Sequence, residues 1–427
     1  MYYRADTRMN QVTVWFLIAL AVSTLLQLWL ALRQIAHVSS HRDTLPASFT
    51  GRISPEAHRK AADYTVAKTR FGVVNLLYEN ALRLLWTLGG GLALLDAFWR
   101  GLQLDTIPTG VGVIVSALFL MSLLELPFSA WYTFVLEERF GFNHTTLSTF
   151  VGDLIKQGLI ALIVGAPLAW VVLWLMAKSG DLWWVYVWAV WMGFSLLMMW
   201  LYPALIAPLF NKFTPLDDAS LRDRIESLLA KCGFSSRGIF VMDGSKRSGH
   251  GNAYFTGFGR NKRIVFYDTL LKTLAPAEIE AVLAHELGHF RRRHIQKRVA
   301  TLALVSFLAL ALLGWLMQQP AFYTGLGVNE PSTYMALLLF MLVGPVFGVV
   351  LQPLFSRLSR HHEYQADDYA ASQTRADELV HALVKLYRDN ASTLTPDPLY
   401  SAFHDSHPPA PLRVAHLITK AQTNPAG

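Results

Sequence analysis

His285-Glu286-Leu287-Gly288-His289 sets two imidazoles and a carboxylate at the spacing of a hydrolytic metal site. Positions i and i+4 of a helix share one face, so His285 and His289 can grip one Zn²⁺ while Glu286 addresses its bound water. The ion lowers the pKa of that water and the carboxylate takes its proton, which is the chemistry of peptide hydrolysis. Chance is a weak rival. Scattering the 14 histidines at random gives such a pattern only ~0.03 times in a chain of this length.

Catalytic zinc normally takes three protein ligands and leaves one position for water. The metzincin arrangement of the third ligand fails, because the chain has Arg292 and Ile295 where that pattern needs glycine and histidine. His294 falls one residue short and reads as part of a basic band with Arg291, Arg292, Arg293, Lys297 and Arg298. The remaining candidates lie in His361-His362-Glu363-Tyr364-Gln365-Ala366-Asp367. Glu363 and Asp367 are i, i+4, so one carboxylate can ligate while the other hydrogen-bonds a ligand histidine. His361 or His362 is the alternative ligand, since imidazole suits zinc equally well.

The elements that position these groups must lie in a membrane. The chain is 53% hydrophobic and 16% charged, against about 25% charged for soluble domains. Thirteen Trp suit a membrane–water interface. Cys232 is the single cysteine, which excludes an intramolecular disulfide or a cysteine-based zinc site. The net charge of +7 is read as the positive-inside bias of a polytopic protein, and no aromatic-interleaved basic stripe points to nucleic acid.

Seven apolar segments approach the ~20 residues a bilayer requires: 14–32, 74–98, 111–134, 154–176, 183–206, 300–317 and 334–355. The first continues as Arg33-Gln34-Ile35 without a cleavage site and is not a signal peptide. Glu79, Arg83 and Glu125 fall within spans and should face a cavity, unless Glu79 and Arg83 pair with each other at i, i+4. The segment between spans one and two carries Arg33, Arg42, Arg52, Arg59, Lys60, Lys68 and Arg70. The opposite side has only Arg4, Arg8, Arg100 and Lys178. The N-terminus is therefore expected outside, with the insert at 211–299 and the tail in the cytoplasm. An odd span count puts the histidines of the insert and the acids of the tail on one side.

The chain divides into a five-span region at 1–210, a metallopeptidase insert at 211–299, spans six and seven at 300–356 and a tail at 357–427. The insert reads as a small α/β unit with a helix at 220–231 and strands at 239–242, 253–258 and 263–267 around a 259–262 turn. Pro276 opens a helix that bears the zinc motif and is expected to run through the basic band into span six.

Several further strings make the chain recognisable. They are Glu137-Glu138-Arg139-Phe140-Gly141-Phe142-Asn143, Pro208-Leu209-Phe210-Asn211-Lys212-Phe213-Thr214-Pro215-Leu216, Gly244-Ser245-Lys246-Arg247-Ser248 leading to Asn252-Ala253-Tyr254-Phe255, and His407-Pro408-Pro409. With the zinc motif they resemble, over nearly the whole chain, the integral-membrane CAAX prenyl protease family, type 1. The resemblance implies a mainly α-helical polytopic zinc metallopeptidase with seven spans around a large intramembrane chamber. It also implies one Zn²⁺ per chain, with Glu363 matching the third ligand beside His285 and His289, and Asp367 the acid behind them. Glu286 then removes a proton from the water and returns it to the leaving amine. His407 and Arg413 match residues near the catalytic water and the developing oxyanion, and Asn252, Ala253 and Tyr254 match a strand that holds the substrate backbone.

The expected partners are the lipid bilayer and a peptide or protein substrate, prenylated or otherwise membrane-associated. A heat-shock-type quality-control protease is the rival enzyme, and a transporter or channel with structural zinc is the rival of another class. Compact loops and no dilysine or KDEL-type signal near Asn424-Pro425-Ala426-Gly427 favour a bacterial inner membrane, with the endoplasmic reticulum as the alternative.

Overall fold

The computed structural model describes residues 10–256 and 261–423. Arg4 and Arg8, part of the expected 253–258 strand and 259–262 turn, and the 424–427 end lie outside these residues. The membrane part begins with α1 (Gln11–Ser40), α2 (Pro55–Trp86), α3 (Gly91–Gly101) and α4 (Thr106–Trp131). It continues with α5 (Leu147–Lys178), α6 (Trp183–Leu201) and the short α7 (Ala207–Phe210). Among the described residues six stretches are long and apolar enough to cross a membrane, and seven when α2 and α3 count as one. Trp15, Phe119 and Ile163 stand exposed on them, as a lipid-facing surface requires.

The second expected span is not straight. α2 and α3 meet at a 46° bend. Gly90 takes a left-handed φ of +80°, and a Cβ on Gly89 would lie 2.7 Å from the Leu85 carbonyl oxygen. The run Gly89-Gly90-Gly91 lets the chain turn there, a feature that mean hydropathy hides. Glu79 and Arg83 do not bond each other. Arg83 donates to the Leu342 carbonyl at 2.9 Å and to Asn80, while Glu79 accepts from Asn75.

The insert opens with β1 (Phe213–Pro215), α8 (Ala219–Lys231) and β2 (Ser235–Met242). It goes on through β3 (Ala253–Thr256), β4 (Asn261–Tyr267), α9 (Asp268–Thr273) and α10 (Pro276–Arg291). The sheet order is β1-β2-β4-β3, with β2 and β4 parallel and the other pairs antiparallel. β3 is therefore an edge strand whose outer side carries no neighbour among the described residues. β1 escaped the sequence reading because it is three residues long and ends on Pro215. β2 starts earlier than the expected 239–242, beyond an irregularity between Ser236 and Ile239 where Gly238 breaks the apolar alternation.

Pro276 occupies the first turn of α10 as expected, and the Ala275 N–H is capped by Glu278 Oε2 at 2.7 Å. The helix does not run on into the membrane. Arg293 adopts a left-handed φ of +57° and α11 (His294–Leu316) starts afresh. The rest comprises α12 (Pro320–Thr324), α13 (Thr333–Gly348), α14 (Gln352–Gln373), α15 (Ala376–Asp389), α16 (Pro398–His404) and α17 (Ala410–Thr423). One 3₁₀ turn joins α13 to α14, so the seventh span and the helix bearing Glu363 form a single rod.

Two cores result. One fills the bundle around Phe16, Leu92, Leu173 and Tyr334 and includes Leu326 and Val328 from the turn before α13. The other joins Phe49 and Ile53 of the α1–α2 loop to Phe266 and Leu287 of the insert and Leu383 and Val414 of the tail. The basic loop, the insert and the tail thus share one end of the bundle, as an odd span count demands. Within this core α10 crosses α14 at Gly288, where an added Cβ would lie 2.9 Å from Ala366 Cα. That obstacle is backbone and cannot swing aside. Gly288→Val is expected to destabilise this unit by about 1–3 kcal/mol, read as a lower thermal midpoint of the full chain. Gly344→Ala, where a Cβ meets nothing within 4 Å, is the control, and equal midpoints for both variants would contradict the close crossing.

Candidate active site

α10 presents His285 and His289 on one face, and α14 presents Glu363 and Asp367 opposite them. The two Nε2 atoms are 3.3 Å apart, and each lies 3.4 Å from an oxygen of Glu363. Four-coordinate zinc with bonds of about 2.0–2.1 Å separates its ligand atoms by about 3.3–3.4 Å along each tetrahedral edge. The two imidazole nitrogens match one edge of that tetrahedron, and the Glu363 carboxylate offers each of them a different oxygen at the same spacing. Glu363 Oε2 is buried without a hydrogen-bond partner; the Arg413 guanidinium at 3.6 Å offsets its charge in part, and a metal ion would engage its open lone pairs. The donor set and its spacing fit a zinc ion.

Each imidazole is aimed by a partner behind it. His285 Nδ1 lies 2.8 Å from Asp367 Oδ1, a carboxylate that can only accept, so the Nδ1–H donates and Nε2 is the nitrogen left to a metal. Arg413 clamps the same carboxylate through Nε and Nη2, both at 2.7 Å, and reaches within 3.6 Å of Glu363. Burial and the Arg413 charge oppose protonation of His285, but Asp367 and Glu363 outweigh them and push its pKa up to about 9. A metal binding at this imidazole must displace that proton. Burial takes His289 the other way, down to about 3, and keeps it neutral. Burial also pushes the Glu286 carboxyl up, toward the range of a general base.

His294 is the residue the sequence reading assigned wrongly. It is 2% exposed, not part of an interfacial band. Its Nε2 lies 2.8 Å from Gln365 Oε1, and its Nδ1 lies 3.0 Å from His289 Nδ1. Gln365 Nε2 reaches His361 Nε2 at 2.9 Å, so Oε1 is the acceptor facing His294. His294 then donates through Nε2 and accepts at Nδ1, which fixes the His289 proton on Nδ1 and frees its Nε2. A buried histidine one place off a known motif gives no signal in sequence, because Gln365 is supplied by another helix. His361 and His362, the alternative ligands, stay out of the group: the first bonds Gln365 and the second stacks on His294 with ring centroids 4.0 Å apart.

Glu286 lines a cavity of about 250 Å³ together with His285, Glu363, His407, Arg413 and Asn252. His407 Nε2 lies 3.5 Å from Glu363 Oε1, and its largely exposed side chain opens on this cavity. Asn252 and Ala253 line it at the start of β3, whereas the Tyr254 ring turns away to meet Tyr267 edge-on. A second larger cavity, of about 670 Å³, shares Tyr387, Asn390, Ser392 and His407 with the first. Glu137, which had no role in the sequence reading, is buried and holds Tyr64 and His250 just before β3.

Glu278, Glu378 and His381 form another group at metal-compatible spacing. There Glu278 caps α10 and pairs with Lys385 at 2.7 Å, so its carboxylate is already satisfied. His294→Ala should lower the affinity of the purified protein for Zn²⁺ by about 10–100-fold, measured by competition with a chromogenic chelator. An unchanged affinity would contradict the orienting role.

Comparison with known proteins agrees with this geometry. A family model described as the CAAX prenyl protease N-terminal region with five membrane helices matches residues 34–212, and the model of peptidase family M48 matches residues 215–421. The CAAX prenyl protease 1 homolog of Arabidopsis thaliana is 36% identical over 400 residues, covering 91% of this chain and 93% of its own. CAAX prenyl protease 1 of Saccharomyces cerevisiae is 35% identical, covering 91% of each chain. A crystal structure of S. mikatae Ste24p superposes with a TM-score of 0.87 at 34% identity, covering 94% of this chain and 98% of that one. The chain belongs to peptidase family M48 and, within it, to the integral-membrane CAAX prenyl proteases of type 1, and is a membrane metalloprotease.

Proposed function

We propose that the protein is a zinc-dependent endopeptidase that cuts prenylated, CAAX-type or similarly membrane-associated polypeptides near their C-terminus. The observation that carries this reading is the triad His285, His289 and Glu363 at zinc spacing, with Glu286 beside it in the same cavity. The named activity of the relatives supports the substrate class.

Zinc bound by the triad would polarise a water molecule and lower its pKa toward neutrality. The roles of the chain's own side chains follow from position. Glu286 accepts the proton released as water attacks and delivers it to the amide nitrogen as the C–N bond breaks. The free edge of β3 at Asn252 and Ala253 pairs with an extended substrate backbone. Tyr254 contributes backbone alone, since its ring packs on Tyr267. His407 and Arg413 supply N–H groups and positive charge where the carbonyl oxygen becomes negative. Two N–H groups of Arg413 are held by Asp367, so its part is mainly the field of a fixed charge.

The protein is an integral multi-pass membrane protein. We assign it to the endoplasmic reticulum membrane with the site facing the cytoplasm. The eukaryotic relatives support that choice, and the bacterial inner membrane favoured by the sequence reading finds no support among them. Neither the quality-control nor the transporter alternative has a specific observation in its favour.

Glu286→Gln should reduce cleavage of a farnesylated C-terminal peptide by about 10²–10⁴-fold while leaving bound zinc at one per chain. Removing zinc with a chelator should abolish cleavage, and adding it back should restore it. Wild-type turnover by Glu286→Gln would defeat the mechanism.

A further inference from the structure

Lys68 contributes to the basic loop in the charge count, yet its side chain lines the larger cavity. It is the single Lys or Arg among the residues lining that cavity, and Asp405 is the single carboxylate. Its Nζ lies 4.9 Å from the centre of the Tyr64 ring, and no ion pair or hydrogen bond engages it among the described residues. The carboxylate nearby, Glu137, is already held by Tyr64 and by His250. A lysine without a counter-ion in a chamber beside a hydrolytic centre is free to receive an anion.

The sheet indicates which anion can arrive there. β3 runs from Ala253 to Thr256 and already pairs antiparallel with β4. A substrate adding to its free edge in the antiparallel sense runs from Thr256 back toward Ala253. The C-terminal part of that substrate then passes Asn252, Gly251 and His250. The His250 ring faces Tyr64 at 6.4 Å, and Tyr64 in turn carries the Lys68 ammonium. Tyr387, Asn390 and Ser392 line both cavities, so the two spaces adjoin at these residues.

We infer that Lys68 forms a subsite for the substrate's C-terminal α-carboxylate and so measures the distance from the cut bond to the chain end. This inference rests on the endopeptidase reading above. The subsite makes the enzyme count residues from a free terminus, a selectivity that the metal site alone lacks. Thr65, one turn before Lys68 on α2 and lining the same cavity, offers a hydroxyl donor beside the ammonium, whereas the Thr69 hydroxyl donates to the Thr65 carbonyl at 2.8 Å.

The experiment uses the full-length protein and two farnesylated peptides, one ending in a free carboxylate and the other in a carboxamide. The wild type should favour the acid in kcat/KM by about tenfold. Lys68→Met should bring the acid down to the rate of the amide without changing the amide, which also shows that the variant is folded. Lys68→Arg should keep the preference. In a Glu286→Gln background the free tripeptide acid should bind more tightly than its amide, and adding Lys68→Met should remove that difference. An acid preference that survives Lys68→Met, or equal cleavage of both peptides by the wild type, overturns the subsite and leaves the peptidase reading standing. Cleavage of neither peptide by the wild type overturns both.

Discussion

The close crossing of α10 and α14 is the contact on which the site depends. Gly288 has no side chain and lies against Ala366, so two helices from distant parts of the sequence approach at backbone distance. That approach sets the separation of the two Nε2 atoms from Glu363 at 3.4 Å, the spacing of a tetrahedral ion. A wider crossing would carry Glu363 away from both imidazoles and break that spacing. The membrane spans serve the same contact. α11 follows α10 across a tight turn, and α13 runs straight into α14. The bilayer thus holds the two halves of the site in register.

Behind the ligands the charges are arranged in pairs. Asp367 is fully buried and acceptable there because Arg413 meets it with two hydrogen bonds. The pair turns a carboxylate toward His285, while the neutral pair His294 and Gln365 performs the same office for His289. One imidazole is thereby made more basic by an anion and the other is held by a neutral acceptor. α14 supplies the proposed ligand Glu363 and the partners that orient the two imidazoles, Gln365 and Asp367, from five consecutive positions. A single helix therefore carries most of the tolerance of the site to displacement.

Much of this was legible in the sequence. His285, His289 and Glu286 are local to one helix, and helical spacing is enough to bring them together. The spans were visible in composition, because each is a mainly apolar run near the length of a bilayer. Glu363 and Asp367 stood out through their own i, i+4 spacing, although residues alone left His361 and His362 open. What stayed hidden depends on partners far along the chain. His294 needs Gln365, Glu137 needs Tyr64 and His250, and Lys68 gains meaning only from the cavity it lines. The bend between α2 and α3 and the break at Arg293 were missed for a different reason. Both turn on a few residues with positive φ, which a pattern averaged over a span does not register.

The most direct measurement is the zinc K-edge absorption spectrum of the purified full-length protein, compared with a Glu363→Ala variant. The account predicts one zinc per chain with two imidazole nitrogens, a carboxylate oxygen and one further light ligand at about 2.0–2.1 Å. In Glu363→Ala the first shell should lose the carboxylate contribution or the zinc should be lost. Zinc retained with an unchanged first shell in that variant, or bound at Glu278, Glu378 and His381, would contradict it.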